Sequence, residues 1–500
     1  MSTVEQLAKI RARLNGRIWL VVPPVLLAAI FLYIAGLSAE ERETLLYFVQ
    51  DYLPIIMFLT LAILLFSGYP VAFVLGGIAI NFGLIGYALG MFSLIEFFNF
   101  LPRIWGQAAE NLVLVSVPAF VFMGIMMERS GIAQDLLYCV QVLLRRVPGA
   151  LALAVTIMGT ILAAMTGIIG ASVTMMTALA LPTMLRQNYS PALSCGTIAA
   201  SGTLGILIPP SIMLIIMADL LAISVGNLFM AALMPGLALA GLYLIFITVV
   251  AALKPSMAPP LSRELLYVPR EEMVPLIVRS FLPPVFLISL IKCSILLGWA
   301  TPSEAGAVGA FGAVILAIVA GRLNLSSLNA VCQSTARTVA MIFFIILSAT
   351  CFAYVYRSLG GDDIVEHLIT QAGLGSWGLL ILIMAVVFFL GFFLDWIEIT
   401  LIVLPVFAPM VAGLDFGEHV PKEDVVFWFA ILVAVNLQTS FLTPPFGFAL
   451  FYLKGIAPKE VKIESIYLGI IPFVLLQLTA LVIVITYPGL ALWLMHSVYD

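Results

Sequence analysis

The sequence predicts an all-α polytopic membrane protein of two inverted repeats, each with a re-entrant helical hairpin and a broken helix, and three observations predict it. The first is composition: hydrophobic residues make up 63% of the 500, charged residues 10%, and the mean hydropathy is +1.18, against about 45–50% and 25% in soluble domains. The second is a pair of interruptions, Ser201-Gly-Thr-Leu-Gly-Ile-Leu-Ile-Pro-Pro-Ser211 and Asn436-Leu-Gln-Thr-Ser-Phe-Leu-Thr-Pro-Pro-Phe446, each inside an apolar segment long enough to cross a bilayer. The third is internal similarity: Ser67-Gly-Tyr-Pro-Val-Ala-Phe-Val-Leu-Gly-Gly77 answers Trp299-Ala-Thr-Pro-Ser-Glu-Ala-Gly-Ala-Val-Gly309, and Leu179-Ala-Leu-Pro182 answers Ile402-Val-Leu-Pro405. Matched interrupted segments in two halves of one chain are the best sequence pointer to a transporter site.

Other classes lack their marks. The net charge of −4 is small for this length, and no basic run suggests nucleic acid. Five cysteines, Cys139, Cys195, Cys293, Cys332 and Cys351, sit in apolar surroundings without CxxC spacing and read as small buried hydrophobes. The histidines, His367, His419 and His496, have no HExxH company, and GxSxG, Walker and GxGxxG patterns are missing. Nothing supports an enzyme or an ATP-driven pump.

Taken in order, residues 1–52 form a basic cytoplasmic tail (Lys9, Arg11, Arg13, Arg17) and an extra anchor from Ile18 to Leu37. That run is too long for a signal-peptide core, and the positive-inside rule puts the acidic loop Glu40–Thr44 outside. Residues 53–253 form the first repeat, with a hairpin at about 149–183 and a broken helix at about 192–224. A polar, proline-containing linker occupies 254–280, and 281–500 form the second repeat, with a hairpin at about 377–413 and a broken helix at about 424–455. Each hairpin stretch is too long for one span and too short for two, so two half-length helices joined at mid-membrane fit it. Arg145, Arg146 and Arg186 bracket the first hairpin, whereas Asp362, Asp363, Glu366, Asp415 and Glu418 bracket the second, with Lys422 dissenting. The first therefore opens to the cytoplasm and the second outward, which is inverted topology. Leu94–Asn111 and Ile132–Val147 read as interfacial amphipathic helices.

The proline pairs carry the chemistry. Proline has no N–H and collides with the carbonyl four residues back, so Pro209 and Pro210 free the carbonyls of Gly205 and Ile206, and Pro444 and Pro445 free those of Ser440 and Phe441. In hydrocarbon such breaks persist only where protein, water or an ion meets the freed groups. Thr203, Thr439, Ser440 and Thr443 add hydroxyls, and the restarted half-helix offers an anion its N-terminus. A cation and an anion thus fit side by side at mid-membrane. Asp219, Lys292, Glu304, Asp395 and Glu398 fall in or near apolar spans, where each needs a partner or a wet cavity. Asp395 lies near the second tip and reads either as a transport residue or as an N-cap of the returning arm. Glu304, after Pro302, reads as a helix-start residue.

Several motifs in order carry a family resemblance: Val117-Pro-Ala-Phe-Val-Phe-Met-Gly124 with Met127-Glu-Arg-Ser-Gly131, the Gly-Thr-Leu-Gly-Ile-Leu-Ile-Pro-Pro-Ser element, Ser224-Val-Gly-Asn-Leu-Phe229 with Pro235 and Gly236, Ala300-Thr-Pro-Ser-Glu-Ala305, and Leu442-Thr-Pro-Pro-Phe-Gly447. From about residue 53 onward the chain resembles the large membrane subunit of a TRAP (tripartite ATP-independent periplasmic) transporter. The resemblance implies an elevator-type carrier of the ion-transporter superfamily in the bacterial inner membrane, coupled to sodium ions. It also implies a small membrane subunit, here a separate chain, and a periplasmic substrate-binding protein that delivers an organic anion, with a carboxylate expected. By motif, the first sodium site would use Gly205, Ile208 and Pro209 with the tip around Thr166, and the second Ser440, Thr443 and Phe446 with the tip around Gly391. Asp395, Thr203, Ser172 and Thr439 are the candidate substrate contacts. The sequence departs from the family in three places: Ile168 and Ile169 interrupt the first tip, Ser440 replaces a common glycine, and Glu398 adds an acid to the second tip. A stand-alone sodium and organic-anion symporter of the same superfamily is the alternative.

Overall fold

A computed structural model describes residues 38–66, 69–166, 169–260, 269–371, 373–392, 394–444 and 447–499. The expected anchor up to Leu37 and part of the linker lie outside the described residues. All regular structure among the described residues is helical.

In the first half, α1 (Ala39–Phe66) includes Glu40–Thr44 in its first turns, where a loop was expected; carboxylates favour a helix N-terminus. After α2 (Val71–Ala88), the segment expected as one interfacial helix divides into α3 (Leu94–Phe98), α4 (Phe100–Ile104) and a π turn, Trp105–Ala109. Pro102 explains the division, because its ring would strike the carbonyl of Phe98 in a continuous helix. Next come α5 (Ser116–Arg129) and α6 (Ile132–Leu144), whose one buried face includes Ile132, Leu136, Leu137 and Val140. A hairpin of α7 (Ala150–Thr166) and α8 (Ile169–Arg186) leads to the first broken helix. This consists of α9 (Pro191–Thr203), a 3-10 turn at Leu204–Ile206, and α10 (Ile212–Leu220), after which α11 (Val225–Leu253) crosses back.

The expected linker ends early. Helix α12 (Arg270–Leu276) starts behind Pro269 with Glu271 and Glu272 in its first turn, and passes through a π turn, Ile277–Phe281, into α13 (Leu282–Leu296). Then α14 (Pro302–Val319) opens on a capping box in which Thr301 and Glu304 bond each other's backbone N–H, giving Glu304 its helix-start role. Helix α15 (Leu325–Ser358) is followed by α16 (Gly361–Gln371), a hairpin of α17 (Ser376–Leu390) and α18 (Trp396–Ala412), and the second broken helix, α19 (Val425–Leu442) with α20 (Phe448–Ile456). The chain closes with α21 (Ile463–Thr486) and α22 (Gly489–Tyr499).

Among the described residues, eight helices are long and apolar enough to cross a membrane. The hairpin arms are not among them: α17 has 15 residues, about 22 Å at about 1.5 Å each against about 30 Å of hydrocarbon. The broken helices form the centre. Leu193 to Thr203 of α9 and Trp428 to Leu442 of α19 are buried without a gap. Gly196 of α9 and Gly469 of α21 meet backbone to backbone, so the two halves interlock at a contact that excludes any side chain. Tyr243 of α11 and Gln477 of α21 add a buried hydrogen bond of 2.8 Å between the halves.

Candidate functional site

At the first break the backbone satisfies most of its own needs. The N–H groups of Leu207 and Ile208 both donate to Leu204 O, at 3.1 and 3.0 Å. Of the two carbonyls that proline counting frees, Ile206 accepts the Ser211 hydroxyl at 2.6 Å, so an internal donor stands where a cation was expected. Ser211 Oγ also accepts the Leu214 N–H at 3.4 Å and thereby caps α10. Gly205 keeps a carbonyl without a helical donor, since Ile208 N–H serves Leu204 and Pro209 has none. Thr203 donates to Ala200 O at 2.9 Å, and Gly205, Ile208 and Pro209 are buried. Ser201 holds the neighbouring hairpin arm through Thr156 Oγ1 at 3.2 Å. Thr166 ends α7; its side chain, like Gly167 and Ile168 of the tip, lies outside the described part. Ser172 is buried one turn into α8.

The second break is more polar. Thr443 leaves α19 in an extended conformation, with its N–H 3.4 Å from Ser440 O and its carbonyl accepting Gly447 N–H at 3.2 Å. Its hydroxyl donates to Thr439 O at 2.6 Å, Thr439 Oγ1 donates to Asn436 O at 2.6 Å, and Ser440 Oγ donates to Asn436 O at 3.4 Å. Each hydroxyl directs its hydrogen along its own helix and keeps oxygen lone pairs for another ligand. Pro445 and Phe446 lie outside the described residues. No side chain caps α20, whose N-cap is Gly447, unlike α10 with its Ser211. The second hairpin presses here: any Cβ at Gly391 would collide with the Ser440 side chain. The structure thus brings Gly391 and Ser440 together.

Two side chains stand out by what they lack. Gln438 is fully buried in α19 and neither its Nε2 nor its Oε1 has a partner; Glu398, in the first turn of α18, is buried with Oε2 unpartnered. A lost hydrogen bond of this kind costs about 1–3 kcal/mol, more for a charged group. Asp395 is the N-cap of α18, bonded to Trp396 N–H at 2.8 Å. Tyr452 of α20 reaches the first hairpin, where its ring fills the space beside Gly170. Gln438 and Tyr452 were not among the residues expected from sequence, although an amide inside the apolar run 425–442 is itself a signal.

The other intramembrane charges have separate fates. Asp219 accepts Gln107 Nε2 at 3.1 Å and Asn111 Nδ2 at 2.6 Å. Lys292 has no carboxylate partner among the described residues and shares a small apolar crevice with Pro209 and Pro210. Of the cysteines, Cys139, Cys195 and Cys351 are buried as expected, but Cys293 and Cys332 are exposed on the surfaces of α13 and α15. Chemically the breaks offer carbonyl and hydroxyl oxygens, which suit a hard cation.

These features agree with what comparison finds. Residues 58–490 match the family model of the tripartite ATP-independent periplasmic transporter, DctM component. The large permease protein of a C4-dicarboxylate TRAP transporter from Pseudomonas aeruginosa is 29% identical over 77% of this chain and 87% of its own length. That of a 2,3-diketo-L-gulonate TRAP transporter from Escherichia coli is 29% identical over 86% of this chain and 98% of its own. The crystal structure of the Alcanivorax borkumensis YdaH transporter shares the fold at 14% identity, with a TM-score of 0.56 over 81% of this chain and 89% of that one.

Proposed function

The chain belongs to the DctM-component family of tripartite ATP-independent periplasmic transporters, and from that premise we propose that it moves an organic anion, a carboxylate, into the cell by sodium-coupled elevator transport. It is a multi-pass inner-membrane permease and a secondary transporter, not an enzyme. Its partners in this reading are a small membrane subunit, encoded as a separate chain, and a periplasmic protein that delivers the substrate. The relatives' names, C4-dicarboxylate and 2,3-diketo-L-gulonate, support a carboxylate as cargo.

One observation carries the reading: the buried Gln438 amide without a partner and the unpartnered Oε2 of buried Glu398, on the broken helix and the hairpin that meet at Ser440 and Gly391. Groups left without partners in a membrane interior are ones that a ligand completes. We assign the first sodium site to Gly205, Ile208 and Pro209 with the tip at Thr166, and the second to Ser440, Thr443 and Phe446 with Gly391. For the substrate we keep Thr203, Ser172 and Thr439, with the uncapped N-terminus of α20 facing the carboxylate. Asp395, the fourth candidate substrate contact, is retained as the cap of α18 through Trp396 N–H, since its carboxylate would repel an anionic substrate.

The test is reconstitution. With the small subunit and a loaded binding protein, proteoliposomes should accumulate substrate under an inward sodium gradient, and the chain alone should not. Robust sodium-driven uptake by the chain alone would instead favour the stand-alone symporter, and uptake indifferent to sodium would remove the coupling.

A further inference from the structure

Away from both breaks, a cavity of about 380 Å³ opens between α4 with its π turn, the end of α10, α15 and the second half of α18. Pro405, on its wall, lies ten residues beyond Asp395, about 15 Å along the helix axis. The volume falls in the range of small-ligand sites, about 300–1,000 Å³, and its charge pattern favours an anion. Arg103 stacks on the Tyr354 ring, 4.2 Å from its centroid, and no carboxylate among the described residues pairs with it. Arg357 stands three residues after Tyr354 on α15, on the same face of the helix, and lines the same cavity as Arg103 and Tyr354.

Arg357 is already oriented. Its Nη2 donates at 2.6 Å to Pro405 O, a carbonyl whose helical donor Pro409 removes, and its Nε lies 3.5 Å from Asp362. That leaves Nη1 without a partner among the described residues. The one carboxylate on the wall, Asp219, is met by the amides of Gln107 and Asn111. Apart from Thr350, the remaining wall is apolar, with Ala349, Ala353, Leu401 and Ala408.

We propose that this cavity is a second binding site for an organic acid, with the carboxylate held between Arg103 and Arg357 and an apolar body against α15 and α18. The ligand class rests on the reading of the chain as an organic-anion carrier. The cavity is walled by α4 and α15 on one side and by the hairpin and broken-helix elements α18 and α10 on the other, so an acid bound here touches both before reaching the tips. Guanidinium is the group of choice for such a carboxylate because its planar donors match it in pairs.

Benzoate, a carboxylate on a flat apolar body, is the probe, and benzamide is its neutral counterpart. Titration of the full chain in nanodiscs without sodium should show benzoate binding and no benzamide binding. Arg103→Gln should weaken benzoate about tenfold or more, Arg103→Lys should weaken it less, and Ala353→Trp, which fills the cavity, should abolish binding. Arg103 is exposed, so its variants should keep the wild-type melting temperature. Gln438→Leu and Ser440→Ala, at the second break, should leave benzoate affinity unchanged. Benzoate affinity that survives both Arg103→Gln and Ala353→Trp, or that is lost in Gln438→Leu, would overturn this site while leaving the carrier reading in place. Absence of any benzoate binding would overturn it as well. Because the titration needs neither sodium nor partner proteins, failure of sodium-driven uptake would count against the carrier reading and not against the cavity.

Discussion

The two broken helices share a proline pair and differ in how their freed groups are met. At the first, Ser211 supplies both a donor to the Ile206 carbonyl and a cap to α10, so the break is largely closed by the residue that follows it. At the second no side chain caps α20, three hydroxyls line the approach, and the Gln438 amide and the Glu398 Oε2 stay without partners in the interior. The difference teaches that one backbone device, repeated, becomes two chemical sites through the neighbouring side chains. The first break is the more self-sufficient, and ligands should govern the second.

The strongest way to break this comparison is at the hairpin contact. Gly391→Val places a side chain into Ser440, and overpacking of this kind destabilises by about 1–3 kcal/mol. Uptake should fall to background and melting temperature should drop, and a second change, Ser440→Gly, should recover part of both. No recovery in the double variant would dissociate the tip from the broken helix.

Sodium dependence sharpens it next. Thr443→Val retains the shape and removes one oxygen, so the half-saturating sodium concentration should rise roughly 5- to 150-fold, for about 1–3 kcal/mol of lost binding. Since the Thr443 hydroxyl also bonds Thr439 O, a merely structural role predicts lower stability at unchanged half-saturation. Rates at several sodium concentrations and matched protein levels separate the two.

At the first break the sign reverses. Ser211→Ala should lower stability by about 0.5–2 kcal/mol through loss of the cap and leave half-saturating sodium as it was. A shift in sodium dependence without loss of stability would make the first break resemble the second.

The smallest effect is expected at Asp395→Asn. Asparagine caps as well as aspartate, so melting should move by about 0.5 kcal/mol or less, whereas Asp395→Ala should lose about 1 kcal/mol. A large drop in sodium affinity for the asparagine variant would give the Asp395 charge a direct role in the cation site.

Much of the fold was legible because it follows from local rules. Half-length apolar arms cannot span hydrocarbon, prolines end helices where the missing N–H falls, and the three-residue spacing of Thr301 and Glu304 is that of a capping box. The same rules misjudged Glu40–Thr44, which enters α1, and Leu94–Asn111, which Pro102 divides. Of the candidate site, proline counting picked out the Gly205 carbonyl, but not that Ser211 would turn back to Ile206 or that the Thr443 N–H would approach Ser440 O.

By itself, then, the sequence determined the solvent of this protein, the duplicated plan and the positions of the two breaks, because hydropathy, proline geometry and spacing act over a few residues at a time. Only the tertiary structure decided which side chains face the breaks. Gly391 against Ser440, Tyr452 against Gly170, and Arg357 on the Pro405 carbonyl join residues 48 or more positions apart. Those contacts depend on which helix packs on which, and no local preference encodes whether a buried glutamine finds a partner or, like Gln438, is left without one.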